Sequence, residues 1–169
     1  MFAAFHRISI AAAAVAATAL TAQALEPARG EVVLTISGAI AETNADEVAE
    51  FDLALLEELE TVTVETSTIW TDGVQTFVGV PLDVLLEAVG AEGTTLRASA
   101  INDYAVEIPV SDAVEGGPIV AHLRNGAPMS VREKGPLWIV YPFDSSPDYQ
   151  SELIYSRSIW QLDRIEVRP

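Results

Sequence analysis

The sequence predicts an α+β domain, a mixed β-sheet core carrying a few short helices. Three observations predict it. Alternating or β-branched runs outnumber helical stripes. No internal repeat or linker-like stretch divides the chain. One apolar run, Leu137–Tyr141, is bounded by Gly135-Pro136 and Pro142, as a strand buried on both faces is. A single domain with a mixed sheet is expected from these observations.

Residues 1–24 read as a signal peptide outside the fold. Arg7 supplies a positive start, Ile8–Leu20 is apolar and alanine-rich, and Ala22-Gln23-Ala24 is a small-x-small cleavage site. The apolar run falls short of the ~20 residues that span a bilayer. The expectation is one domain over 25–169, periplasmic or secreted, with no membrane insertion once the leader is cleaved.

The elements follow in order. Glu31–Ile40 alternates Val33, Thr35 and Ser37 against Leu34 and Ile36, which predicts a strand. Asn44–Glu60 carries Val48, Phe51, Leu55 and Leu59 at helical spacing with acids opposite, which predicts a helix, and Asp52 is placed to cap its well-packed part. Thr61–Ile69 is β-branched throughout and ends at the turn signal Asp72-Gly73. In Gln75–Gly90, Pro81 suits a first helical turn, Leu82, Leu85, Leu86 and Val89 make one stripe, and Gly90 closes it. Thr95–Pro109 is a hairpin about Asn102-Asp103, both tolerant of left-handed backbone. Ile119–Arg124 is a strand leading into the hairpin signal Asn125-Gly126. After the central strand, residues 144–152 are polar and contain Pro147, a loop placed as a lid would be, and Ile159–Val167 closes the chain as an alternating strand.

Composition excludes several chemistries. The chain has no cysteine, which removes thiolate catalysis, zinc–thiolate sites and iron–sulfur clusters. Beyond the leader His122 is the only histidine, so a histidine-rich metal site cannot form within one chain, and mid-strand it reads as a core histidine. A net charge of −16, from 25 acidic and 9 basic side chains, argues against nucleic acid and anionic membranes as partners. Against that background, Arg124, Arg132 and Lys134 place three of the nine basic side chains beside the central strand, and Arg157 stands where it could join them. This cationic, glycine-containing mouth is a candidate anion site, with Gly135 permitting close approach of a ligand to the backbone; pairing with acids elsewhere is the competing account. Trp70, at a strand end beside Thr66, Ser67 and Thr68, has the shape to stack on a flat ring, though a core tryptophan would look the same. Asn102 and Asp103 are turn formers first, and site residues if the hairpin tip faces the ligand.

Taken in sequence, several short motifs resemble the sulfite oxidase-type molybdopterin-binding domain. They are Phe77-Val78-Gly79-Val80-Pro81-Leu82 with Leu85-Leu86, Ala100-Ile101-Asn102-Asp103-Tyr104, and Gly126. Lys134-Gly135-Pro136-Leu137-Trp138, Tyr141-Pro142 and Ser158-Ile159-Trp160-Gln161-Leu162 with Arg164-Ile165 complete the set. The resemblance covers nearly all of the chain after the leader. In the catalytic members, a cysteine from the loop preceding the Gly79-Val80-Pro81 counterpart ligates molybdenum. Here that region reads Glu65-Thr66-Ser67-Thr68-Ile69-Trp70, and a hydroxyl is no substitute for a thiolate. The resemblance therefore implies a pterin without molybdenum. By the same resemblance, the ring would meet Thr66, Thr68, Trp70, Asn102, Asp103, Tyr104, Arg132, Lys134, Gly135, Tyr141, Arg157 and Trp160.

The chain resembles a group of small, secreted, cysteine-free members of this fold. The resemblance implies pterin binding and partnership with the outer domain of a membrane signalling protein that makes or degrades cyclic di-GMP. Three readings follow: a non-catalytic pterin-binding partner of such a receptor, a molybdopterin-dependent oxidoreductase, and a protein-docking module with no small molecule.

Overall fold

Alternation at Leu34 and Ile36 does produce a strand. In the computed structural model, which describes residues 25–169, β1 (Leu34–Gly38) buries both side chains completely. The expected leader lies outside the described residues. The remaining strands are β2 (Ala49–Phe51), β3 (Val62–Ser67), β4 (Val74–Pro81), β5 (Thr95–Ala100) and β6 (Ala105–Pro109). They continue as β7 (Ile119–Arg124), β8 (Ala127–Pro128), β9 (Trp138–Val140) and β10 (Leu162–Arg168). Three short helices join them: α1 (Leu53–Glu58), α2 (Leu82–Ala88) and α3 (Glu152–Arg157).

The strands form two sheets. One runs β2-β1-β10-β5-β6; β1 and β10 are parallel and its other pairs are antiparallel, so this sheet is mixed as expected. The other runs β3-β4-β7, with β8 and β9 both pairing with β7. A bulge at His122, where Val78 and Gly79 oppose Leu123 and Ala121, bends β7 against β4. A side chain at Gly79 would collide with the Val120 carbonyl, which explains the glycine.

The expected hairpin is present, with Asp103 left-handed (φ 65°) at its tip. The Asn125-Gly126 turn is also present, both residues having positive φ. Helix α2 follows Pro81 and buries Leu82, Leu85 and Leu86. Four expectations need correction. The helix expected over 44–60 is only α1. Phe51 belongs to β2 and pairs with Leu34, because the Asp52 carboxylate accepts the Leu55 N–H (2.8 Å) and starts the helix there. The same carboxylate accepts from the Arg29 and Gly30 N–H groups, so it anchors the preceding segment too. Strand β4 lies in a stretch from which only a helix was read.

The run Leu137–Tyr141 is wholly buried, yet β9 is a short strand at the side of its sheet, not the centre. Its free edge is covered by the chain at 158–162: the Ile139 N–H donates to the Ile159 carbonyl (2.9 Å) and the Leu162 N–H to the Leu137 carbonyl (3.0 Å). Finally, residues 144–152 are no open loop. Two single 3-10 turns and the start of α3 occupy them, and Ser151 caps that helix.

Candidate functional site

The backbone at 158–161 hangs on the buried stretch before β9. The Gln161 N–H donates to the Lys134 carbonyl (2.9 Å), and Trp160 bridges Trp138. Helix α3 leads into this segment, and the β5–β6 hairpin tip meets it from the other sheet through the Ile101 N–H on the Gln161 carbonyl (3.0 Å). Between them lies a cavity of about 430 Å³, within the range that holds small organic ligands. Trp70 and Trp160 line it from the interior side, Asn102 and Tyr104 from the hairpin tip, and Tyr155, Ser156 and Ser158 from α3 and the turn after it.

Trp70 organises this cavity. It sits half-buried and makes edge-to-face contacts with Trp160 (5.4 Å between centroids), Trp138 (5.8 Å), Tyr155 (5.9 Å) and Phe143 (6.2 Å). Such geometry fixes the indole plane through the ring quadrupoles. Trp160 is gripped from the other direction: the Lys134 ammonium lies 4.2 Å from its ring centroid, a cation–π contact. Lys134 takes a left-handed backbone (φ 77°) to hold that position. Tyr104 stands 58% exposed at the mouth, and the Asn102 side chain accepts the Tyr104 N–H (3.1 Å). The cavity is thus an aromatic slot with an amide at one edge and a cation behind one ring.

Four of the residues singled out from the sequence, Trp70, Asn102, Tyr104 and Trp160, share this cavity, and Lys134 backs it. The others lie elsewhere. Asp103 turns away to pair with Arg164 (2.8 Å). Arg132 is exposed and is not in the cavity wall. Arg124 approaches Glu133 at 3.9 Å. Gly135 is buried, and the space where its side chain would stand holds the Met129 carbonyl, so its close approach is to its own chain. Tyr141 and Arg157 converge on one carboxylate: Tyr141 Oη donates to Asp112 Oδ2 (2.7 Å) and Arg157 Nη1 to the same oxygen (2.9 Å). Burial, aided by Asp112, pushes the Tyr141 phenol far above its ordinary range, so it stays protonated. Arg157 is therefore an internal brace between α3 and the turn after β6. The four cations do not form one mouth, because two find acids and one stacks on an indole. Sequence reading missed Tyr155, Ser156 and Ser158; α3 is short, and the Ser151 cap before Glu152 was its one local signal.

The loop where the resemblance places a molybdenum thiolate is closed by hydrogen bonds. Asp144 accepts from the Ser67 N–H and hydroxyl (both 2.6 Å), and its own N–H donates to Thr66 Oγ1 (3.1 Å). These bonds, the Ser67 hydroxyl foremost, hold the Asp144 carboxyl below its ordinary range, so it is ionised. Thr68 Oγ1 accepts the Trp70 N–H (3.1 Å) and meets Thr71 Oγ1 (2.8 Å). The hydroxyls that would have to replace a thiolate are engaged, and they are hard, weakly acidic donors. Molybdenum does not fit this donor set. The aromatic slot next to it offers ring faces and an amide edge, the groups that a flat heterocycle would need. With Arg157 on Asp112, the slot offers, among the described residues, no cluster of guanidinium groups for a phosphate.

No family model and no curated protein sequence matches the chain. Among solved structures it is similar to the sulfane dehydrogenase SoxCD from Paracoccus pantotrophus. The two share 20% identity over 80% of this chain and 37% of that one, with a TM-score of 0.58. The chain spans little more than a third of that protein's length. The shared fold agrees with the sulfite oxidase-like fold that the sequence motifs resemble. At this identity the likeness is one of fold, and function has to be argued from the site.

Proposed function

We propose that this chain binds a pterin-type ring in the aromatic slot and does no redox chemistry on it. The observation that carries the reading is the pair of tryptophans. Trp70 and Trp160 are held by neighbouring rings and by Lys134, half-open to a cavity of ring-sized volume, on a fold associated with pterin cofactors. Trp70, Trp160, Tyr104 and Tyr155 would enclose the ring, and Asn102 would meet its hydrogen-bonding edge. The protein would act outside the cytoplasm, and the loaded form would dock on the outer domain of a membrane receptor that controls cyclic di-GMP. Support for the receptor step is the sequence resemblance alone.

Titration with an oxidised pterin, followed by its own fluorescence, tests the binding step. Stacking on an indole is worth roughly 1–3 kcal/mol, so Trp70→Ala should weaken affinity by about tenfold or more, and Trp160→Ala similarly. Equal affinity in the wild type and both variants would overturn the site. The oxidoreductase reading draws on the sulfane dehydrogenase likeness. Molybdenum at one atom per chain in natively purified protein would revive it and overturn ours.

A further inference from the structure

The second sheet ends at β3, and among the described residues one side of that strand has no partner strand. Its phase is set by the last residue, whose N–H goes to Asp144 instead of β4. In an antiparallel pair, inward and outward backbone groups alternate. Thr63 and Glu65 therefore turn their N–H and C=O groups outward, and both residues are exposed. Natural edges are blunted by lysines, prolines, bulges or covering loops. Here Asp144 plugs the Ser67 end, whereas among the described residues Thr63–Glu65 carries one acid and no other guard.

A groove of about 530 Å³ runs along the same strand. Val62 and Val64, both half-buried, form its floor with Pro81 and Val84. Glu60, Asp83 and Glu115 stand around it, and among the described residues no basic side chain lines it. The wall at 116–117 is glycine, which leaves the groove open there.

We infer that the β3 edge and this groove dock an extended polypeptide segment, with alternating apolar and basic residues, supplied by another protein. The free N–H and C=O of Thr63 and Glu65 extend the sheet by one strand, as in strand addition generally. Side chains on one face of that strand enter the valine-floored groove, and basic residues meet the three carboxylates. A second copy of this chain suits the place poorly: β3 against β3 brings Glu60 and Glu65 of both copies together with no cation at the groove. This surface is separate from the aromatic slot and does not depend on what binds there.

The test uses a fluorescein-labelled peptide of alternating valine and lysine, with a valine–glutamate peptide of equal length as its counterpart. Fluorescence anisotropy should show saturable binding of the basic peptide and none of the acidic one. Thr63→Pro removes an outward N–H without touching the β3–β4 ladder. It should weaken binding by about tenfold, the worth of roughly one hydrogen bond. Should that variant unfold, Glu60→Lys with Glu115→Lys, both at exposed positions, gives the independent readout of lost affinity. Equal binding of the two peptides, no binding of either, or undiminished affinity in folded variants would overturn the proposal. A concentration-dependent dimer in sedimentation that Thr63→Pro abolishes would overturn it too, by assigning the edge to a second copy.

Discussion

Trp138 and Trp70 touch each other, yet they sit on opposite sides of the division that matters in this molecule. Trp138 is fully buried, its Nε1 donates to the Ser158 carbonyl (3.1 Å), and Phe77 packs edge-on at 5.3 Å. Trp70 is ringed by aromatic edges but remains half-open, and among the described residues its indole N–H finds no hydrogen-bond partner. The first has spent its whole surface on the fold; the second keeps surface for something else. A tryptophan's polar end is satisfied when the residue is structural. The one left wet at a cavity is the one to suspect of binding.

The largest effect should come from breaking the structural member. Trp138→Ala opens a cavity between Phe77, Trp70 and the 158–162 segment and should cost about 3–5 kcal/mol, measured by urea unfolding. A cost near that of Trp70→Ala would erase the distinction. Next is the brace behind the slot. Arg157→Gln leaves Asp112 with Tyr141 as its remaining partner and should cost about 1–3 kcal/mol, with Asp112→Asn in the same chain recovering part of it. Because Arg157 pins α3, and α3 carries Tyr155, pterin affinity should fall with it. A loss of stability with unchanged affinity would show that the slot does not depend on the brace. Trp70→Ala should cost less stability, about 1–2 kcal/mol for a half-buried side chain, and most in binding.

This same distinction explains what could be read in the sequence. Periodicity reports which side chains leave water, so Leu34, Ile36, Leu82, Leu85 and the hairpin about Asp103 were legible. It does not report where a strand lies in a sheet. The run Leu137–Tyr141 is as buried as a central strand because the chain at 158–162 covers its edge, a contact between segments some twenty residues apart. Phe51 fits a helical stripe, but the Asp52 carboxylate starts the helix after it. Charge was the least legible property. Arg132, Lys134 and Arg157 are close in sequence or in expected place, but Asp112 lies forty-five residues before Arg157 and removes it from any mouth. Of the aromatic slot, Trp70, Tyr104 and Trp160 were visible as residue types at strand ends. Tyr155 was not, because its six-residue helix has no stripe long enough to recognise.

The smallest effect concerns a buried polar group of the other kind, satisfied by neither protein nor site. His122 on β7 is 4% exposed, its Nδ1 has no partner among the described residues, and Glu57 Oε1 stands 3.8 Å from Nε2. Burial lowers its pKa, and Glu57 opposes that only in part. The unfolded chain titrates near the ordinary value of about 6.5. Below that pH the unfolded state takes up a proton that the folded state refuses, so His122 makes stability fall as the solution is acidified, starting near pH 6.5 and ending at the lower folded value. His122→Gln should flatten this part of the pH–stability curve while leaving the decline at carboxylate pH, where Asp52 and Asp144 lose their depressed pKa advantage, in place. Equal slopes between pH 6.5 and 5 in the two proteins would mean that Glu57 closes on the imidazolium and holds it. His122 would then behave as a paired group, on the same footing as Trp138.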